Sequence, residues 1–235
     1  MTERKKPFSV FLDLDETLLD FHTAEAVALS KTLTQFGIEP TESAIARYSE
    51  INAGRWELLE EGKISREEAL VSRFDLFFEE LGADCSGYQA ELMYEKLLCI
   101  GHWFIPGAQE LLEALDGKYD LYIASNGIGA VQDSRLESAG IVHHFKDIFI
   151  SERLGGNKPQ KAFYDACFAH IPDFDRERAI MVGDSLTSDI RGGNNAGIKT
   201  CWFNPKGRPR REDIRPDFEI TSLNELPALL EKLSK

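Results

Sequence analysis

Positive charge is what this sequence lacks most: 27 Lys and Arg stand against 40 Asp and Glu in 235 residues, a formal net charge of −13. Binding a long polyanion draws on Lys and Arg contacts to phosphate, so nucleic-acid polymers are not expected partners. A small anionic substrate remains open, because one site can be locally positive on an acidic protein. Cysteine is scarce too. Cys85, Cys99, Cys167 and Cys201 form no C-x-x-C pair and sit in apolar surroundings, which reads as reduced, mostly buried thiols rather than a disulfide framework. No apolar run approaches the roughly 18 residues that cross a membrane. Arg4, Lys5 and Lys6 precede an apolar stretch at 8–12, but Asp13 and Asp15 end it too early for a secretion signal. Internal repeats and low-complexity segments are missing as well. The expectation is a cytoplasmic globular protein, monomer or homodimer, with no membrane partner.

What is present is a 43% hydrophobic chain, enough for a proper core. Residues 8–12 form a β-branched and aromatic run that reads as a buried strand. From 21 to 101 there is no strand-like alternation. Leu70, Phe74, Phe77 and Leu81 recur at helical spacing, as do Met93, Leu97 and Ile100, and Ser65 with Glu68 forms a capping box. This segment reads as about four helices. From Pro106 the rhythm changes to helix 109–115, strand 121–124, helix 131–139 and strand 147–150. A helix after Pro159, strand 179–182, helix 187–196, strands 200–203 and 217–220, and a last helix capped by Ser222 and Glu225 follow. Such alternation implies parallel β-α units. The expected architecture is an α/β fold with a Rossmann-like three-layer core (1–20 and 102–235), interrupted by an all-helical cap (21–101) placed to cover Asp13.

In parallel sheets, ligands bind beyond the carboxyl ends of the strands. Those ends here carry Asp13, Asp15 and Thr17; Ser125, Asn126 and Gly127; and Asp184, Ser185 and Asp189. Lys158 stands in a loop before a helix. Converging carboxylates repel unless a cation sits among them, and hard oxygen donors suit Mg²⁺. A carboxylate is also a competent nucleophile on phosphorus. A second one, two residues on, is placed to protonate a leaving oxygen and then activate water. Ser125 and Lys158 are suited to holding phosphoryl oxygens, so the parts amount to a phosphoryl-transfer site.

The combination D-x-D-x-T (Asp13, Asp15, Thr17), Ser125, Lys158 and G-D-x-x-x-x-D (Asp184, Asp189) resembles the four motifs of the haloacid-dehalogenase-like phosphohydrolases. The resemblance covers essentially the whole chain and implies the same α/β core with a helical cap. It implies Asp13 as nucleophile, Asp15 as general acid and base, and Thr17 as the residue that orients Asp15. It further implies Ser125, Asn126 and Lys158 around the phosphate. Mg²⁺ would be held by Asp13, the main-chain carbonyl of Asp15, and Asp184, with Asp189 behind them. Residues 181–198, 200–205 and Ser125-Asn126-Gly127 are similar to the pyrimidine 5′-nucleotidases, implying a small phosphorylated metabolite, most specifically a pyrimidine nucleoside 5′-monophosphate.

Other readings stand beside these. The same chemistry serves a sugar-phosphate, acylneuraminate-phosphate or phosphoglycolate phosphatase; a metal-independent haloacid dehalogenase and a catalytically silent binding module complete the set. Asp15 argues against the dehalogenase, whose branch lacks the second aspartate. Asp189, a turn into a helix, suits dipole stabilisation and a metal role equally. Arg208, Arg210 and Arg211, with Gly207 and Pro209, read as an exposed loop. Trp56, His102 and Trp103 read as packing residues before base-stacking ones. His22, His143 and His144 lack ligand spacing.

Overall fold

A computed structural model describes residues 8–235, so the basic residues at 4–6 lie outside it. In chain order its elements are β1 (Ser9–Leu12), α1 (Phe21–Gln35), α2 (Glu42–Glu60), α3 (Arg66–Leu81), α4 (Gly87–Leu98), α5 (Ala108–Leu115), β2 (Asp120–Ser125) and α6 (Gly129–Ala139). There follow β3 (Asp147–Ile150), α7 (Ser151–Leu154), α8 (Lys161–Ala169), β4 (Ala179–Gly183), α9 (Arg191–Ala196), β5 (Lys199–Phe203), β6 (Phe218–Ile220) and α10 (Leu226–Leu233). They group into two compact units. One takes the described residues up to Asp20, Phe104–Gly129 and Gly140–Lys235; the other takes Phe21–Trp103 and Ala130–Ala139.

The first unit is built on a six-stranded sheet in the order β3-β2-β1-β4-β5-β6, every pair parallel. Strand β1 lies inside it, and Val10, Phe11 and Leu12 are fully buried. A strand covered on both faces reads as a nearly continuous apolar run rather than an alternating one, which is the pattern of residues 8–12, where only Ser9 is polar. Phe11 stacks on Tyr122 with ring centroids 5.1 Å apart, in a cluster completed by Phe149, Phe163 and Phe168. Because β1 pairs with β2 on one side and β4 on the other, strand order reverses at β1. The open crevice of such a sheet lies beyond that point.

The second unit holds α1–α4 around a core of Tyr48, Phe74, Phe77, Phe78 and Tyr94. Ser65 caps α3, accepting from the Glu68 N–H at 3.1 Å. On α4 the buried positions are Ala90, Glu91, Tyr94 and Leu98, whereas Met93 and Leu97 are only half-buried and Ile100 is exposed. The apolar stripe expected at 93, 97 and 100 is therefore not the one that turns inward; the buried face of α4 carries Glu91, which meets Arg73. Its guanidinium lies inside the unit and binds Glu91 (Nη2 to Oε1, 2.7 Å; Nε to Oε2, 3.0 Å) and Asn52 Oδ1 (2.8 Å). Asn52 in turn donates to Glu25 (2.6 Å), which also accepts from Ser49. One polar network thus touches all four helices.

Ala130–Ala139 and residues 102 and 103, expected with the sheet, group instead with the helices. Ser134 Oγ donates to the Cys99 carbonyl at 2.8 Å, His102 Nδ1 and Ser138 Oγ lie 2.9 Å apart, and Arg135 stacks over Phe21. A second departure lies after β4. The helix expected over 187–196 begins as a wide π-turn, Leu186–Ile190, before α9. Among the cysteines, all free, Cys167 and Cys201 are buried and Cys85 and Cys99 half-buried.

Candidate active site

Strand β1 ends where its hydrogen bonds end: the Asp13 N–H donates to the Val182 carbonyl at 2.9 Å, and the chain then leaves the sheet. Asp13 is thereby fixed at the rim between β1 and β4. A tight turn follows, with Glu16 at φ 60° and both Leu18 and Leu19 donating to the Leu14 carbonyl. It holds Asp15 half-buried two residues from Asp13. Thr17 is buried, with its hydroxyl 3.5 Å from Asp13 Oδ2, the outer limit of a hydrogen bond.

Lys158 is fully buried, and each of its three ammonium protons has a taker. They are Asp13 Oδ1 (2.6 Å), the Ala124 carbonyl (2.6 Å) and Asp189 Oδ1 (2.7 Å). Burial works against its charge, but the carboxylates of Asp13 and Asp189 outweigh it and hold the ammonium above its ordinary pKa. Asn126, expected near the phosphate, is committed on both sides of its amide to the Lys158 main chain: its Oδ1 accepts from the N–H (2.8 Å) and its Nδ2 donates to the carbonyl (2.9 Å). Its evident work is to place Lys158. Ser125 ends β2 buried, its Oγ accepting from the Gly127 N–H at 3.1 Å.

Asp184 follows β4, and Asp189 returns from the π-turn. Asp189 Oδ1 pairs with Lys158 at 2.7 Å, and Oδ2 accepts from the Ser185 N–H at 3.0 Å. The wide turn is what brings this side chain back over Gly183, where an added Cβ would meet Asp189 Oδ2 at 2.1 Å. Only glycine fits there.

Asp13, Asp184 and Asp189 each offer an oxygen within 4.8 Å of the others. Burial, reinforced by Asp189 and Asp15, pushes Asp13 far above the usual carboxylate range against the pull of Lys158. Burial and the charge of Asp13 push Asp184 up to about 7, although Arg208 draws it down. Asp189 is also raised by burial, with Lys158 opposing. Carboxylates held at such a cost lack positive charge, and a compact set of hard oxygens short of a cation fits Mg²⁺. Asp189 has both oxygens engaged, by Lys158 and by the Ser185 N–H.

Sequence reasoning missed Arg208 and Trp202, whose side chains both reach Asp184. The available signal was a basic run just after a strand whose end lies at the site, on a chain otherwise rich in acid.

Residues 10–203 match the model of the haloacid dehalogenase-like hydrolases. The crystal structure of the HAD-hydrolase YfnB from Bacillus subtilis bound to magnesium superposes with a TM-score of 0.91 at 41% identity, covering 96% of this chain and 99% of that one. The pyrimidine 5′-nucleotidase PynA of Streptococcus pneumoniae is 39% identical over 95% of this chain and 94% of its own length. The pyrimidine 5′-nucleotidase YjjG of Escherichia coli is 34% identical over 94% and 96% respectively.

Proposed function

We propose a reaction from this premise: the chain belongs to the haloacid dehalogenase-like hydrolases. It is a Mg²⁺-dependent phosphatase acting through an aspartyl-phosphate, and its substrate is a pyrimidine nucleoside 5′-monophosphate. The observation that carries the chemistry is Asp13, buried at the sheet's switch point and held by Lys158 beside Asp184. Full-length similarity to two pyrimidine 5′-nucleotidases supports the substrate.

Asp13 attacks phosphorus in line, forming an oxygen–phosphorus bond as the bond to the ester oxygen breaks. Asp15 gives its proton to that departing oxygen, then takes one from the water that attacks phosphorus and frees Asp13. Lys158 keeps a buried positive charge against Asp13, and Ser125 at the end of β2 is placed to donate to a phosphoryl oxygen. Mg²⁺, held by Asp13, Asp184 and the main-chain carbonyl of Asp15, supplies the charge neutralisation that lets an anionic phosphate approach.

The test is a panel of phosphomonoesters at equal concentration, with and without Mg²⁺. It includes pyrimidine and purine nucleoside monophosphates, sugar phosphates, phosphoglycolate and an acylneuraminate phosphate. Pyrimidine nucleotides are expected to give the highest kcat/KM, with turnover abolished by EDTA. A clear preference for another phosphomonoester would refute the substrate, and EDTA-resistant turnover would refute the mechanism.

A further inference from the structure

Two residues beyond the end of β4, Arg208 and Trp202, converge on Asp184 and have no part in the steps above. Arg208 Nη2 donates both to the Asp184 main-chain carbonyl (2.6 Å) and to its carboxylate Oδ2 (3.0 Å). A single nitrogen bridging a residue's own carbonyl and carboxylate ties the side-chain torsion to the backbone. Trp202 Nε1 donates to the same carbonyl at 2.8 Å, and its buried ring lies 6.0 Å from the guanidinium. The loop that delivers Arg208 is itself built. The buried Asn204 accepts from the Arg208 N–H (2.8 Å), and its Nδ2 donates to the Arg208 carbonyl (3.0 Å) and to Glu219 Oε1 (2.8 Å). Arg210 Nε holds the other oxygen of Glu219 at 2.7 Å.

We infer that Arg208 is a positioning residue for the metal, a clamp that holds Asp184 by Oδ2 and its carbonyl and so presents the remaining carboxylate oxygen to the cation. The inference rests on the phosphatase reading and extends it to a residue outside the recognised motifs. A planar guanidinium suits the task because its donors are fixed in direction, which a lysine ammonium cannot match. Groups behind metal ligands fix ligand orientation, and their loss weakens metal affinity by about 10- to 100-fold. The rival role is a counter-ion that Mg²⁺ must displace, for which loss of the charge tightens binding instead.

The test is Mg²⁺ titration of wild type, Arg208→Met and Arg208→Lys by calorimetry, beside the Mg²⁺ dependence of turnover. Arg208→Met is expected to raise the Mg²⁺ Kd roughly tenfold or more, to raise the Mg²⁺ concentration for half-maximal rate by the same factor, and to recover turnover as Mg²⁺ is increased. Arg208→Lys should fall between the two. Arg208 is a half-exposed loop side chain, so the thermal midpoint of the metal-free variant is expected to match wild type. Wild-type or tighter Mg²⁺ affinity in Arg208→Met would overturn the clamp while leaving the phosphatase reading intact. A turnover defect at unchanged Mg²⁺ affinity would do the same, by moving Arg208 to the substrate. A wild-type protein that binds no Mg²⁺ would overturn both.

Discussion

Mg²⁺ binding to this site should expel protons, and the amount follows from the buried carboxylates. Asp184 is pushed up to about 7, so at pH 7 it carries roughly half a proton in the metal-free protein. Asp13, raised by deeper burial and by two neighbouring aspartates, holds a further share. Both must be ionised to bind a cation, so roughly one proton should leave per Mg²⁺ at pH 7. Asp184 alone makes affinity rise about tenfold between pH 6 and pH 8, and with Asp13 the change is on the order of a hundredfold. Calorimetry at pH 7 in two buffers of different ionisation enthalpy counts the protons directly. The stability of the metal-free protein has the opposite sign. These folded-state pKa values lie above their unfolded ones, so the stabilisation is complete below the unfolded value near 4 and is lost as pH rises through 7. Its thermal midpoint should therefore be lower at pH 8 than at pH 6, and the gain from Mg²⁺ larger at pH 8. Release of less than roughly a quarter of a proton at pH 7, with affinity flat from pH 6 to 8, would refute the raised carboxylates.

Asp13→Asn removes the nucleophile at nearly constant shape and should lower kcat by at least about 10³-fold, whereas Asp15→Asn, which removes only proton transfer, should cost about 10²- to 10⁴-fold; steady-state rates at saturating Mg²⁺ separate them, and near-wild-type turnover in Asp13→Asn would sink the mechanism. In the helical unit, Arg73→Met strands the buried Glu91 and should cost about 3–5 kcal/mol of stability. Arg73→Met combined with Glu91→Leu removes both charges and should recover much of that loss; urea unfolding checks both, and a double variant no better than the single would contradict the pairing.

Most of the architecture was legible because parallel sheets leave a blunt signal. Residues 10–12 are apolar in succession because both faces of β1 are covered, and their abrupt end at Asp13 marks the strand's carboxyl end. The boundaries blurred where a polar side chain, rather than an apolar stripe, decides which face turns inward. Arg73 and Glu91 look like surface residues in sequence, yet they pair inside the helical unit, while Ile100 is exposed. The same blindness covers the π-turn at Leu186–Ile190, from which Asp189 reaches Lys158, 31 residues away in the chain. Local pattern reports the helix; only the distant partner reports its first turn.

Both units bury acidic groups around a single cation, and the contrast between them explains why only one reads as a site. In the helical unit Glu25 is likewise pushed above its usual range by burial, but its oxygens accept from Ser49 and Asn52, and Arg73 is spent on Glu91 and Asn52. Glu25 is satisfied there by neutral donors and Glu91 by Arg73, so the network requires no further charge. At the sheet, Lys158 closes Asp13 on Oδ1 and Asp189 on Oδ1, while the hydroxyl nearest Asp13 Oδ2 is 3.5 Å away. Arg208 takes Asp184 by Oδ2, from the side of the β5 loop. Asp13, Asp184 and Asp189 each offer an oxygen within 4.8 Å of the others, and Lys158 alone serves two of them. A buried carboxylate is therefore no marker of function by itself. Several carboxylates converging at the rim of a sheet, with fewer cations than charges, is the feature that calls for a dication.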